Sequence, residues 1–119
     1  MNHSLNLMET TMTDIEKSFI EVKDEVVQAM QTIFDPEIPV NIYELGLIYE
    51  VNVDPVLNVH ILMTLTAPNC PAAEILPEEV KQAAESIEGV QKAEVEITFE
   101  PTWTMEMMSE TAKLELGLL

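Results

Sequence analysis

The chain holds one cysteine, Cys70, and its setting gives it the best claim to reactive or ligating chemistry. It lies in Thr66-Ala67-Pro68-Asn69-Cys70-Pro71, between an alternating apolar run and a helical pattern. A thiol at a helix start meets free amide donors and the positive end of the helix dipole, and both favour the thiolate. Pro68 and Pro71 stiffen the loop and hold the thiol in one direction. Such a thiol can serve as a nucleophile or a metal ligand. A cysteine so placed can equally be a small buried hydrophobe.

Cys70 lacks the usual companions. With no second cysteine, one chain cannot complete a zinc site or an iron–sulfur cluster from thiolates. His3 sits in a polar N-terminal stretch, and His60 falls on the opposite strand face from Val59 and Ile61, which marks it as a solvated strand residue. A nucleophilic cysteine needs a base, and neither histidine supplies one. No catalytic residue is assigned, and the chain is not read as an enzyme. Four other residues are candidates for binding. Asp35 and Glu37, in Asp35-Pro36-Glu37-Ile38-Pro39, can ligate metal or accept loop amides near Cys70, or simply end a helix and face solvent. Thr64 and Thr66 lead into the cysteine loop on one face, where they can hydrogen-bond a ligand or satisfy the loop backbone.

These residues need a frame to position them. Residues 1–12 read as a flexible tail, and residues 13–119 as one domain. Ile15, Phe19, Val22, Val26, Met30 and Ile33 recur at steps of three and four, which predicts an amphipathic helix ended by Asp35-Pro36. Two prolines make 35–39 a stiff loop. Strands are predicted at 47–53 and 57–65, joined by Asp54-Pro55 as a hairpin. Pro71 and Pro77 compete to start the next helix; we expect a turn at 71–76 and the main helix at 77–88, with Gly89 as its C-terminal cap. Residues 90–99 follow as a strand with Val95, Ile97 and Phe99 packed and Glu94, Glu96, Thr98 and Glu100 wet. A short helix near 105–115 is expected to be capped by Thr104, with Trp103 and the three methionines beside it packed as core. The order α-β-β-α-β-α gives an α+β two-layer sandwich. It has a small mixed three-stranded sheet with helices on one face, and the third strand runs parallel to the second through a right-handed crossover.

Composition narrows the function classes. At 119 residues and 47% hydrophobic, the chain can bury a core without disulfide or structural metal. It carries 22 acidic residues against five lysines and no arginine, a net charge of −17. Phosphate backbones and anionic membranes are repelled, so neither nucleic acid nor membrane is an expected partner, whereas a positively charged protein surface is attracted. There is no basic leader and no run of about 20 apolar residues, so a cytoplasmic location is expected.

Together the motifs resemble a known family. Asp35-Pro36-Glu37-Ile38-Pro39-Val40-Asn41-Ile42 with Glu44-Leu45-Gly46-Leu47-Ile48-Tyr49 is similar to the opening signature of the SufT-like and PaaD-like metal–sulfur cluster assembly family. Met63-Thr64-Leu65-Thr66 and Cys70-Pro71 resemble its cysteine loop, and Pro101-Thr102-Trp103-Thr104 with Met107-Met108-Ser109-Glu110 and Leu116-Gly117 its close. The resemblance covers about residues 18–117. It implies an accessory factor that assembles iron–sulfur clusters or delivers them to recipient apoproteins alongside the assembly machinery. Cys70 and Asp35 are then the first residues to test. A transient iron–sulfur cluster is the implied cofactor, with a second chain, as in a homodimer, or another partner completing the ligand set; otherwise Cys70 lines a docking surface. PaaD-like members imply an alternative, assembly of a multicomponent oxygenase. Asn69 departs from the glycine often found before the family's cysteine, but asparagine tolerates left-handed backbone better than most residues.

Overall fold

The structure is a computed structural model that describes the backbone of residues 20–67 and 72–118, with side chains from Ile75 onward in the second stretch. The proposed tail at 1–12, Ile15, Phe19, and the Cys70 loop from Pro68 to Pro71 lie outside the described residues.

The first helix, α1, is described over 20–30. It ends earlier than Asp35-Pro36 predicts. After Met30 the hydrogen bonds tighten to steps of three, with Thr32 N–H on Ala29 O at 3.0 Å and Ile33 N–H on Met30 O at 3.4 Å. The Thr32 hydroxyl also donates to the Ala29 carbonyl, at 2.7 Å. The tightened turn keeps Ile33 buried beside Val22, Val26 and Met30. The apolar period therefore outlasts the helix, and the sequence pattern overran its end.

A hairpin follows, β1 at Ile48–Val53 and β2 at Asn58–Met63, paired antiparallel with an irregularity between Ile48 and Glu50. The crossover helix α2 spans Ala72–Glu85 and leads to β3 at Lys92–Ile97, which runs parallel to β2. The expected turn at 71–76 is wrong: helix already begins at Ala72 and carries Pro77 inside it. Pro77 sits in the second turn, where a missing N–H costs one helical hydrogen bond, and the helix continues around it. At its other end α2 stops at Glu85, so Gly89, with φ +96°, belongs to the following turn and not to the helix cap.

Val59, Ile61 and Met63 from β2, Val53 from β1 and Ala93 from β3 share one core with Val22, Val26 and Met30 of α1 and Leu76, Val80 and Ala84 of α2. The other sheet face carries Glu50, Asn52, Glu94 and Glu96, all exposed. His60 stands there too, with Nε2 3.1 Å from Glu96 Oε1 on the neighbouring strand. The expected α+β sandwich with one wet sheet face is what forms.

The C-terminal segment divides into a 3₁₀ turn, Met105–Met107, and a short helix α3, Glu110–Glu115. Thr104 makes no side-chain cap; Ser109 caps α3 instead, its Oγ accepting from Ala112 N–H at 3.1 Å. Ser109→Ala is expected to cost about 1 kcal/mol in chemical denaturation, while Thr104→Ala leaves the midpoint unchanged. Of the methionines here, Met108 is buried but Met105 is exposed, so only part of the stretch is core.

Candidate functional site

The segment 34–47 is where the sequence concentrates its unusual residues, and it folds without a regular element of its own. A bridge between Phe34 and Asn41 closes its first half into a tight loop, with Asp35 N–H on Val40 O at 3.3 Å. Its second half is a chain of turns in which Asn41 Oδ1 accepts from Glu44 N–H at 2.9 Å. Val40, Ile42, Leu45 and Leu47 are nonetheless fully buried. A loop with this much apolar side chain is a wall of the core.

Asp35 is set at the base of that loop. Its Oδ1 accepts from the amides of Glu37 and Ile38, both at 2.8 Å, which locks the two-proline turn into shape. Its Oδ2 is buried and has no hydrogen-bond partner among the described residues. An unsatisfied buried carboxylate oxygen costs free energy, so its retention calls for an explanation. Glu37 contributes its backbone amide to this turn, while its carboxylate faces solvent. Of the two acids, Asp35 is the one built into the loop.

Thr64 follows the last residue of β2 and is fully buried. Its amide is anchored on Leu47 O at 2.8 Å, the far end of the 34–47 segment. Among the described residues its hydroxyl finds only the Leu65 carbonyl at 3.5 Å, the outer limit for such a bond. Thr66 is half-buried in the bend that leads toward Cys70. Asp35 and Thr64 are the only buried polar side chains among the described residues, and each has hydrogen-bonding capacity left over. The same 34–47 segment carries one and anchors the other. Cys70 itself lies outside the described residues. Among those that are described, no three histidine, cysteine, aspartate or glutamate side chains converge to hold a metal.

A second group of contacts escaped the sequence reading. Trp103 Nε1–H donates to Leu45 O at 2.7 Å, Ser109 N–H to Glu44 O at 2.8 Å, and the Tyr49 hydroxyl to Pro101 O at 2.6 Å. Gly46, with φ +87°, lies so close to the 3₁₀ turn that a Cβ there would stand 2.4 Å from Met107 O. The C-terminal segment is thus clamped onto the back of the 34–47 loop. The only advance signal was an isolated glycine between two leucines, Leu45-Gly46-Leu47, which marks a close backbone approach without saying to what.

Residues 23–97 match a family model described as iron–sulfur cluster assembly protein. The chain belongs to that family. It is 49% identical over 105 residues to an Fe-S protein maturation auxiliary factor of Porphyromonas gingivalis, covering 88% of this chain and all of that one. To the Fe-S protein maturation auxiliary factor SufT of Staphylococcus aureus it is 41% identical over 86 residues, covering 72% of this chain and 98% of the other. A crystal structure of the domain of unknown function DUF59 from Bacillus anthracis superposes with a TM-score of 0.79 at 32% identity, covering 87% of this chain and 99% of that one. The SufT-like resemblance drawn from the motifs is borne out, and with it the fold. Among the described residues no helix is long and apolar enough to cross a membrane.

Proposed function

We propose that this protein is an accessory factor in iron–sulfur protein maturation, which presents Cys70 as a transient ligand while a cluster passes to a recipient apoprotein. The observation that carries this reading is the pair of buried, under-satisfied polar groups, Asp35 Oδ2 on the 34–47 segment and Thr64 Oγ1 just after β2, where the chain runs on toward Cys70. Sites that bind keep such unspent capacity where a purely structural core does not. The Porphyromonas and Staphylococcus relatives, both named as Fe-S protein maturation auxiliary factors, support the same assignment. One thiolate and one carboxylate fall short of the usual four ligands, so the remainder come from the assembly machinery, the recipient or a second copy of the chain. The net charge of −17 favours partners with a positive surface. In this role the protein positions and transfers and has no chemical step of its own.

Anaerobic reconstitution with iron and sulfide tests the ligand role, with iron and sulfide counted on wild type and on Cys70→Ala. Wild type is expected to take up iron, and Cys70→Ala to bind it about 10–100-fold more weakly. Equal iron on both forms would sink the ligand assignment. Iron on neither would leave Cys70 as a docking residue.

A further inference from the structure

Among the described residues the sheet runs β1-β2-β3, so β3 is an edge with no described strand along one side. Two hydrogen bonds fix which backbone groups face that side. Thr98 N–H reaches Met63 O at 2.9 Å, toward β2, whereas Ala93 N–H points away, to Glu85 Oε2 at 3.4 Å. Backbone direction alternates along a strand, so the amides of Val95 and Ile97 share the outward direction of Ala93. Glu85 covers the first of the three, and no described residue pairs with the other two. The opposite edge of the sheet is different: β1 has an irregular register between Ile48 and Glu50, which blunts strand addition there.

The open side of β3 has two chemically distinct flanks. Pro77, Lys81 and Glu85 of α2 border it on the core side, forming a groove with β3, and Val95 and Ile97 are half-buried there. On the wet side stand Lys92, Glu94 and Glu96. Lys92 Nζ lies 2.8 Å from Glu94 Oε1, and the pair holds both charged forms, raising the lysine pKa and lowering that of the glutamate. His60 lies against Glu96 at 3.1 Å. Both pairs are solvent-exposed, so an incoming cation replaces either at little cost.

We propose that the open edge of β3 receives an extended segment of a partner protein in which apolar residues alternate with lysine or arginine. The segment adds a fourth strand through the outward amides of Val95 and Ile97. Its basic residues lie beside Glu94 and Glu96, and its apolar residues continue the Val95 and Ile97 row toward Pro77. A second copy of this chain does not suit the edge. Antiparallel self-pairing about Val95 sets Glu94 of each copy beside Glu96 of the other, and the two neighbouring registers set Glu94 against Glu94 or Glu96 against Glu96. The slips beyond these centre on Ala93, whose amide Glu85 already occupies, or on Ile97, which sets Glu94 against Glu100. The proposal stands independently of any role for Cys70.

The test titrates the isotopically labelled full chain with an end-blocked heptapeptide of alternating lysine and valine, reading amide hydrogen exchange residue by residue. At saturation the Val95 and Ile97 amides are expected to exchange at least about tenfold more slowly. The double variant Glu94→Lys, Glu96→Lys, altered only at exposed positions, is expected to lose this protection with the lysine peptide. It should gain it with a glutamate–valine peptide. Absence of binding overturns the proposal. So does binding that leaves the exchange of Val95 and Ile97 unchanged, since charge alone then holds the peptide elsewhere. Protection of the same amides without peptide, rising with protein concentration, would assign the edge to a second copy and overturn it as well.

Discussion

Gly46→Ala is expected to lower stability by about 3–4 kcal/mol, and the thermal midpoint by roughly 10–15 °C. Two costs combine. A non-glycine residue held in left-handed backbone costs about 1–2 kcal/mol. The new methyl group would also stand 2.4 Å from the Met107 carbonyl oxygen, a backbone atom in the 3₁₀ turn. That atom cannot swing aside as a flexible side chain would, so the turn must lift from the loop. Lifting it strains the bonds from Trp103 to Leu45 and from Ser109 to Glu44. Gly117→Ala provides the control: its φ is +74°, but no atom of the described residues lies within 4 Å of an added Cβ. That variant should lose only the conformational part, about 1 kcal/mol. Equal losses at the two positions, measured by denaturant unfolding, would show that the contact with Met107 carries no weight.

Asp35→Asn is expected to separate stability from activity. The substitution keeps an oxygen to accept from the Glu37 and Ile38 amides, so the loop retains its shape. It removes a charge from a buried position where Oδ2 has no described partner, and that relieves a desolvation cost. Folding stability should therefore stay within about 1 kcal/mol of wild type, or rise. Delivery of clusters to a recipient apoprotein should nonetheless fall at least about tenfold if Oδ2 is the group that meets the cargo or its carrier. Asp35→Ala is the companion variant. It loses both loop bonds and should fall in stability and delivery together. Wild-type delivery by Asp35→Asn at unchanged stability would remove Asp35 from the site.

The sheet and both packed helices were legible because their residues repeat with a period. Val59, Ile61 and Met63 alternate, and Leu76 and Val80 recur at helical spacing, so sequence pattern and burial agree. Element ends were less legible. Ile33 keeps the helical period in a turn that is no longer α-helix, and Pro77 reads as a helix start while standing inside one. The site was legible only in part. Asp35 and Thr64 were singled out from loop placement, and burial raised them above Glu37 and Thr66, a property that periodicity does not encode in irregular chain. The clamp was missed for a physical reason. Its bonds join residues more than fifty positions apart, and most are accepted by backbone carbonyls, which are alike at every position of the sequence.

The family match ends at residue 97, and the clamp begins at Pro101. Anyone trimming the domain to that boundary for fusion or crystallisation would keep every strand and discard the piece that holds the Asp35 loop from behind. The carbonyls of Glu44 and Leu45 would lose their donors, and the hollow over Gly46 would open to water. For this fold, the smallest unit worth cloning runs past α3.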